Sequence, residues 1–551
     1  MNKNLFGTTR GAMVPAADAV NEAGGLAYAM SPKHALAQYT ATGCFNNTFY
    51  ATAEDQMDKV LELCKKIEPE FIAKVAVWCR EEGYMKDMPA FLCAYLTTVN
   101  IDLVKKIFPR VINNGKMLRN FVQIMRSGVV GRKSLGSAPR NLVRQWFETR
   151  DEDAIFKQSI GQDPSFGDIL RMVHPTPKNK SMEALFGYLI GMKVVDKKAD
   201  MAKDKNGRFT TILFKDLPGI IKEYEGYKRA KADGKDTVGI PDVPFQMLDS
   251  LGLSTEEWTG IAENAPWHMT RMNLNTFKRH GVLENKDMVK LISTRLRDEQ
   301  AIARAKVFPY QLLAAFLNVA EDMPSHITNA LQDAMEIAVK NIPVIDGNVV
   351  ICPDVSGSMS SPITGHRKGS TTKMRCIDIA GLMSAAILRS NPHARVIPFE
   401  GNVVPIGKLR LNSRDSIMTN ATKLASIGGG STNCSAPLHQ LVQEGAKVDA
   451  VIFVSDNESW IDSNHSAGYS YGYGRHGTST MEAWNALRVK NPKARLICID
   501  VQPNGTTQGV ERADILNIGG FSDNVFNIVG EFVGGTLFDG HWVKVIDSVK
   551  L

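Results

Sequence analysis

The chain has no uninterrupted apolar run approaching the roughly 18 residues that a membrane span requires. Its N-terminus, Met1-Asn2-Lys3-Asn4-Leu5-Phe6-Gly7, carries no apolar signal core. Both absences lead us to expect a soluble, cytoplasmic protein. Paired cysteines are missing too. The eight cysteines, at 44, 64, 79, 93, 352, 376, 434 and 498, form no CxxC pair, which argues against a zinc ribbon or a thioredoxin-like centre. Cys93 lies in the apolar run Phe91-Leu92-Cys93-Ala94-Tyr95, and it and its fellows read as small buried hydrophobes in a reducing compartment. Enzyme signatures are equally scarce. There is no HExxH. Gly365-His366-Arg367-Lys368-Gly369-Ser370 has the composition of a phosphate loop without its GxxxxGK[ST] order. A non-enzyme is expected.

What the chain does have is ordinary globular composition, with 44% hydrophobic and 22% charged residues, so extended disorder is excluded. Its 551 residues exceed one hydrophobic core and call for two or more domains. The net charge of +7 is mild, but it is unevenly spread. Residues 101–150 hold 11 Lys+Arg against 2 Asp+Glu, whereas both neighbouring fifties are slightly acidic. The stretch from Arg126 to Arg144 alternates cations (Arg126, Arg132, Lys133, Arg140, Arg144) with small turn-forming residues. A polyanion could meet side-chain charge and bare backbone N–H groups there. A solvated loop and helix face is the alternative.

Two kinds of pattern divide the chain near residue 345. From about 52 to 340 the helical period dominates. Thr52-Ala53-Glu54-Asp55 resembles a capping box, and Met57, Val60, Leu61, Cys64 and Ile67 follow on one helical face. Asn114-Gly115 breaks the chain between two helices. Further helices are expected at 183–193, 217–228, 255–263, 286–296, 309–320 and 325–339. Short helices with brief connectors suggest a degenerate, HEAT-like stack of helix pairs over 1–345. Over 346–551 strands alternate with helices, as a doubly wound α/β domain requires. Strands are expected at 348–354, 394–399, 450–454, 494–500 and 525–529. Helices are expected at 377–389, 413–424, 436–444, 481–489 and 542–549.

Three motifs of this second half fall where ligands bind such sheets, beyond the carboxyl ends of strands. They are Asp354-Val355-Ser356-Gly357-Ser358, Gly428-Gly429-Gly430-Ser431-Thr432-Asn433 and Ser455-Asp456-Asn457-Glu458. They offer three hydroxyls (Ser356, Ser358, Thr432) and two carboxylates (Asp354, Asp456), all hard oxygen donors. Mg²⁺ takes such donors octahedrally at about 2.0–2.1 Å and keeps some waters; Mn²⁺ and Ca²⁺ are the alternatives. With few carboxylates the ion would stay electrophilic toward an acidic partner. A two-metal nuclease would need more carboxylates than these loops supply.

In all five positions the set resembles the metal-ion-dependent adhesion site of von Willebrand factor A domains. The resemblance implies that Ser356, Ser358 and Thr432 bind metal, with Asp354 and Asp456 direct or through water. A helical-repeat half followed by this domain is similar to the Ro autoantigen family, whose helical half is the TROVE module. The likeness rests on Gly131-Arg132-Lys133-Ser134-Leu135-Gly136, on Phe166-Gly167-Asp168-Ile169-Leu170-Arg171-Met172-Val173-His174-Pro175, on Met269-Thr270-Arg271-Met272-Asn273-Leu274 and on Val307-Phe308-Pro309-Tyr310-Gln311-Leu312-Leu313. It spans nearly the whole chain and is nearest to the bacterial branch.

The resemblance implies a monomeric HEAT-like ring closed by the A domain. It implies small noncoding Y-like RNA on the basic outer surface, and single-stranded 3′ ends of misfolded RNA in the central hole. An exoribonuclease tethered through the RNA is implied as well. Candidate RNA contacts are Arg126, Arg132, Lys133, Arg140, Arg144, Arg171, His174, Lys178 and Lys180, with Arg271 and Asn273 toward the hole. A competing reading is a metal-dependent protein-binding scaffold acting through the A domain. The segment 461–480, rich in Gly, Ser, Tyr and His, is expected to be a loop near the rim of the metal site.

Overall fold

The computed structural model describes residues 14–43, 45–207, 209–234, 239–305, 307, 309–340, 342, 344–366, 374–405, 407, 409, 411–459, 477–535 and 541–551. Most of the 461–480 loop, along with Cys44 and Phe308, lies outside these residues. The chain forms two compact units. The first gathers Met1–Met88, Trp267–Met272 and Ile292–Lys550, and the second Pro89–Pro266 and Asn273–Leu291. The change of sequence pattern near 345 is therefore not where compactness divides the chain: the N-terminal segment packs with the C-terminal half.

In the second unit, short polar caps start the helices. Asn100, Asn114, Asp151 and Asn179 each accept a backbone N–H in the first turn of the helices Ile101–Val111, Gly115–Ser127, Glu152–Lys157 and Lys180–Leu189. Ser165 with Asp168, and Ser254 with Glu257, form reciprocal capping boxes. Each cap satisfies an orphan donor in a short connector. The core includes edge-to-face rings, Trp146 against Phe147 and Phe166, and Phe147 against Phe186. Gly115, half of the predicted break, sits where a Cβ would lie 2.7 Å from the Gln158 carbonyl oxygen and 2.8 Å from the Phe166 ring. Only glycine fits.

The first unit begins with β1 (Ala19–Val20) and β2 (Leu26–Ala29), an antiparallel pair. The helix Ala53–Lys65 has the capping box that Thr52 and Asp55 predict. A small parallel pair, β3 (Lys193–Val195) and β4 (Thr211–Leu213), belongs to the second unit. The main sheet comprises β5 (Val349–Pro353), β6 (Arg395–Val396), β7 (Ala450–Ser455), β8 (Arg495–Asp500) and β10 (Ile515–Gly519), in the order β10-β8-β7-β5-β6. All its pairings are parallel. A further short strand, β9 (Thr506–Thr507), pairs antiparallel with β2. The helices Cys376–Ser390, Ile417–Ala425, Ala436–Gln443, Ser479–Lys490 and His541–Asp547 fall close to their expected positions.

One element is corrected. Residues 525–529 are not a strand: they lie in the helix Asp523–Val533, and the outer strand of the sheet is β10. The run Val525-Phe526-Asn527-Ile528-Val529 is rich in strand-forming residues, yet Val525, Phe526, Ile528, Val529 and Phe532 also share one helical face, and all five are buried. The true strand was masked by Asn517. That side chain is buried but satisfied, accepting from Thr507 at 2.8 Å and donating to the Gly509 carbonyl at 2.8 Å. No described helix is long and apolar enough to cross a membrane. The seven described cysteines are buried and unpaired, as their apolar settings predict.

Candidate functional site

From β5 the chain crosses to β6 on one side and to β7 on the other. The strand order thus reverses between β5 and β7, and the crevice beyond their carboxyl ends is the natural ligand position of such a sheet. Asp354 follows β5 and Asp456 follows β7. Asp354 N–H donates to the Val454 carbonyl at 3.0 Å, and Val355 N–H to the Phe399 carbonyl at 2.9 Å. The third loop is pinned to the first by Gly357 N–H donating to the Gly430 carbonyl at 3.0 Å. All five predicted residues, Asp354, Ser356, Ser358, Thr432 and Asp456, are buried.

Asp354 Oδ1 accepts the Ser356 N–H at 2.9 Å, and its Oδ2 accepts the Ser455 hydroxyl at 2.5 Å. The Ser356 and Ser358 hydroxyl oxygens stand 3.2 Å apart. Asp456 Oδ1 accepts the Glu458 N–H at 3.3 Å. Its Oδ2 is buried with no hydrogen-bond partner among the described residues. Burial and the adjacent Asp354 push the Asp456 carboxyl up to about 7, with the Ser358 hydroxyl opposing. Asp354 is raised too, by burial, against its bonds to Ser455 and Ser356. Two buried carboxylates with an orphaned oxygen and hydroxyls between them are a poor arrangement without a cation and a good one with it. Among the described residues no group of three or more His, Cys, Asp or Glu is arranged to hold a metal ion by itself, so a cation here would depend on the hydroxyls.

Sequence reasoning missed the surroundings. Glu458 and Asp500 are buried and raised well above the carboxylate range, chiefly by burial; Glu22 and Asp456 add to it at Glu458, and Asp456 at Asp500. Tyr50, half-buried, hydrogen-bonds Ser358; burial and then Asp456 lift its phenol above the ordinary range. Asp500 closes a predicted strand and could have been found. Nothing in the sequence points to Tyr50, about three hundred positions from the motif it meets.

The basic stretch joins two helices of the second unit. The helix Gly115–Ser127 ends at Gly128 with φ +91°, and Gly131 and Gly136 also adopt left-handed backbone before the helix Ser137–Glu148. Arg126, Lys133 and Arg140 are exposed. Arg132, half-buried, donates to the Thr97 carbonyl at 2.9 Å. Arg144 donates to the Val173 carbonyl at 3.0 Å and to Asn141 at 3.2 Å, tying the stretch to the turn at His174. His174, exposed, closes the helix Phe166–Val173 with φ +48°. Arg171 donates to the Ile190 carbonyl and pairs with Asp168 at 3.6 Å. Hydrogen bonds from Ser165, then Arg171 and Arg126, hold the Asp168 carboxyl below its usual range. Arg126, Arg144, Arg171 and His174 thus share one neighbourhood. Lys178 and Lys180 are exposed at the start of the next helix. Arg271 belongs to the first unit, where it donates to the Gln311 carbonyl at 2.7 Å, and Asn273 to the second.

Fold and site define a class: a helical-repeat chain carrying a von Willebrand A-type domain, with an acid-and-hydroxyl cluster at its switch point. Residues 348–533 match the family described as the Ro60 vWA domain. The chain is 24% identical over 546 residues to the RNA-binding protein RO60 of Deinococcus radiodurans, covering 94% of this chain and 95% of that protein. It is 20% identical over 609 residues to the RNA-binding protein RO60 of Caenorhabditis elegans, covering 94% and 90%. Its fold is similar to that of the crystal structure of the Deinococcus radiodurans RO (RSR) protein, with a TM-score of 0.57 at 20% identity, over 92% of this chain and 100% of that one. Residues 348–533 thus match a Ro60-type von Willebrand A domain, and the similarity to Ro proteins extends along nearly the whole chain.

Proposed function

We propose that this protein is a nonenzymatic, cytoplasmic RNA-binding protein of the Ro type. Its basic stretch takes the backbone of a small, structured, Y-like noncoding RNA. A second surface takes the single-stranded 3′ end of misfolded RNA, so that the protein scaffolds RNA quality control or degradation, with an exoribonuclease recruited through the RNA. The observation that carries the reading is the grouping of Arg126, Arg144, Arg171 and His174 beside the exposed Lys133 and Arg140, in a chain similar over 94% of its length to an RNA-binding protein. Lysine and arginine supply affinity through phosphate, and an exposed imidazole can hydrogen-bond or stack on an unpaired base. The test is a gel-shift titration at two salt concentrations, with one duplex bearing a single-stranded 3′ tail and the same duplex blunt. Tight, salt-sensitive binding that needs the tail supports the reading. Weak binding to both overturns it.

A second reading rests on the orphaned Asp456 Oδ2. In it the A domain holds Mg²⁺ through Ser356, Ser358, Thr432, Asp354 and Asp456, and binds the acidic side chain of a protein partner at an open position of the ion. RNA binding that survives Asp354→Ala but fails after Lys133→Ala with Arg140→Ala, both at exposed positions, favours the first reading.

A further inference from the structure

A cavity of about 380 Å³ opens within the first unit, and none of the five residues of the acid-and-hydroxyl site lines it. The volume is within the roughly 300–1,000 Å³ of small-ligand sites. One wall is Gly519-Gly520-Phe521-Ser522, where the carboxyl end of β10 passes into the helix Asp523–Val533. The cap residue of that helix, Ser522, makes no side-chain capping bond. The end of the helix Pro69–Glu81 and the turn after it, with Arg80, Tyr84 and Lys86, also line it, as do His268 and Tyr310.

Two kinds of group converge here. Arg80 and Lys86 are cations, and the start of the helix Asp523–Val533 adds the positive end of its dipole. Asp87, exposed, is the one carboxylate among the described lining residues. Tyr310 and Phe521 meet edge to face with centroids 4.9 Å apart and supply an aromatic wall. His268 is held below the usual imidazole range by burial, Arg271 and Lys86, so at neutral pH it is an uncharged donor and acceptor. Trp78, 4% exposed, adds a further ring to the lining. A ligand with one flat π face and one phosphate matches all of this.

We propose that this cavity is a nucleotide pocket that takes a single nucleoside phosphate, its phosphate toward Lys86, Arg80 and the helix start and its base against Tyr310 and Phe521. The inference goes beyond RNA capture by the basic stretch and uses none of those residues. The ligand is either a free mononucleotide or the terminal nucleotide of a strand.

Isothermal titration calorimetry on the full chain decides it, with adenosine monophosphate, adenosine, inorganic phosphate and a short oligoadenylate as probes. Adenosine monophosphate should bind at least about tenfold more tightly than adenosine or phosphate alone. Lys86→Ala, at an exposed position, should weaken the monophosphate about tenfold and leave adenosine unchanged. Phe521→Leu should weaken both, and Tyr310→Phe, which keeps the ring, neither. Oligoadenylate that binds more tightly than the monophosphate and displaces it identifies a strand end; oligoadenylate that does not compete identifies a free nucleotide. No heat with about 5 mM monophosphate, in the range of the weakest measurable ligands, overturns the proposal, as does binding indifferent to both Lys86→Ala and Phe521→Leu. If tailed RNA still binds while the monophosphate does not, the pocket fails and the RNA reading stands. If the monophosphate binds and tailed RNA does not, the reverse holds.

Discussion

Replacing Arg126, Lys133 and Arg140 together by alanine isolates the electrostatic part of RNA binding. These three are exposed, whereas Arg132, Arg144 and Arg171 also hold backbone carbonyls of the fold, so their loss would mix stability with affinity. If each of the three neutralises one phosphate, the slope of log affinity against log salt falls by about 2.7 for a duplex and about 2.1 for a single strand. Between 50 and 200 mM salt the duplex figure means that the wild type loses about 40-fold more affinity than the variant. Thermal stability should hardly move, because exposed substitutions of this kind stay within about 0.5 kcal/mol. The assay is fluorescence anisotropy of a labelled, 3′-tailed duplex at four salt concentrations, with a melting curve as control. A variant with wild-type slope, or wild-type affinity at 50 mM, would refute the assignment of RNA to this stretch.

Other outcomes follow from the same geometry. Mg²⁺ should raise the melting temperature of the wild type through preferential binding to the folded state, and Asp456→Asn should abolish that rise; an unchanged rise places the ion elsewhere. Gly115→Ala should destabilise by about 1–3 kcal/mol in urea unfolding, because its Cβ meets the Gln158 carbonyl and the Phe166 ring; an indifferent variant would mean that the two helices part easily. Glu444 is held at about 2 by hydrogen bonds from Arg395 and then Gln440, so its contribution is present above the unfolded carboxylate value and lost as pH falls toward 2. Because the Arg395 pair is about 40% exposed, Glu444→Gln should cost under about 1 kcal/mol at pH 7, and the urea midpoints should converge between pH 4.5 and 2. Midpoints that stay apart in acid would show that the glutamine disturbs packing instead.

Much of the fold was legible because local signals agreed with the final structure. The Thr52 capping box, the Asn114-Gly115 break and the buried runs at 349–353 and 450–455 each use one physical cue that tertiary context does not overrule. The failure at 525–529 has an equally local cause. A five-residue apolar run is compatible with either period, and strand β10 beside it contains Asn517, whose polarity counts against a buried strand until Thr507 and Gly509 are seen to satisfy it. The small sheet β1-β2-β9 was not legible at all: it joins residues near 28 to residues near 506, and nothing in a two- or four-residue strand announces a partner that remote.

The acid-and-hydroxyl site divides along the same line. Its five residues lie on three short loops, and each loop follows or precedes an element that can be read, so their convergence follows from the order of strands in a parallel sheet. Glu458, Asp500, Glu22 and Tyr50 gather around them by packing, and packing between distant segments leaves no periodic trace. Yet they bear on the chemistry. Asp456 adds to the raising of both buried acids Glu458 and Asp500, and Tyr50 engages Ser358, a hydroxyl that the loop offers to a cation. A cation at the five-residue set would therefore relieve repulsion over a wider shell than its direct ligands. Asp500→Asn should accordingly weaken Mg²⁺ stabilisation although Asp500 is no part of the motif. Its amide would remove a carboxyl that a nearby cation would favour in its ionised form, while keeping the bond that Gln38 donates to Oδ2 at 2.9 Å within reach of the new oxygen. A variant whose melting temperature responds to Mg²⁺ as the wild type does would show that the influence of the ion stops at the three loops.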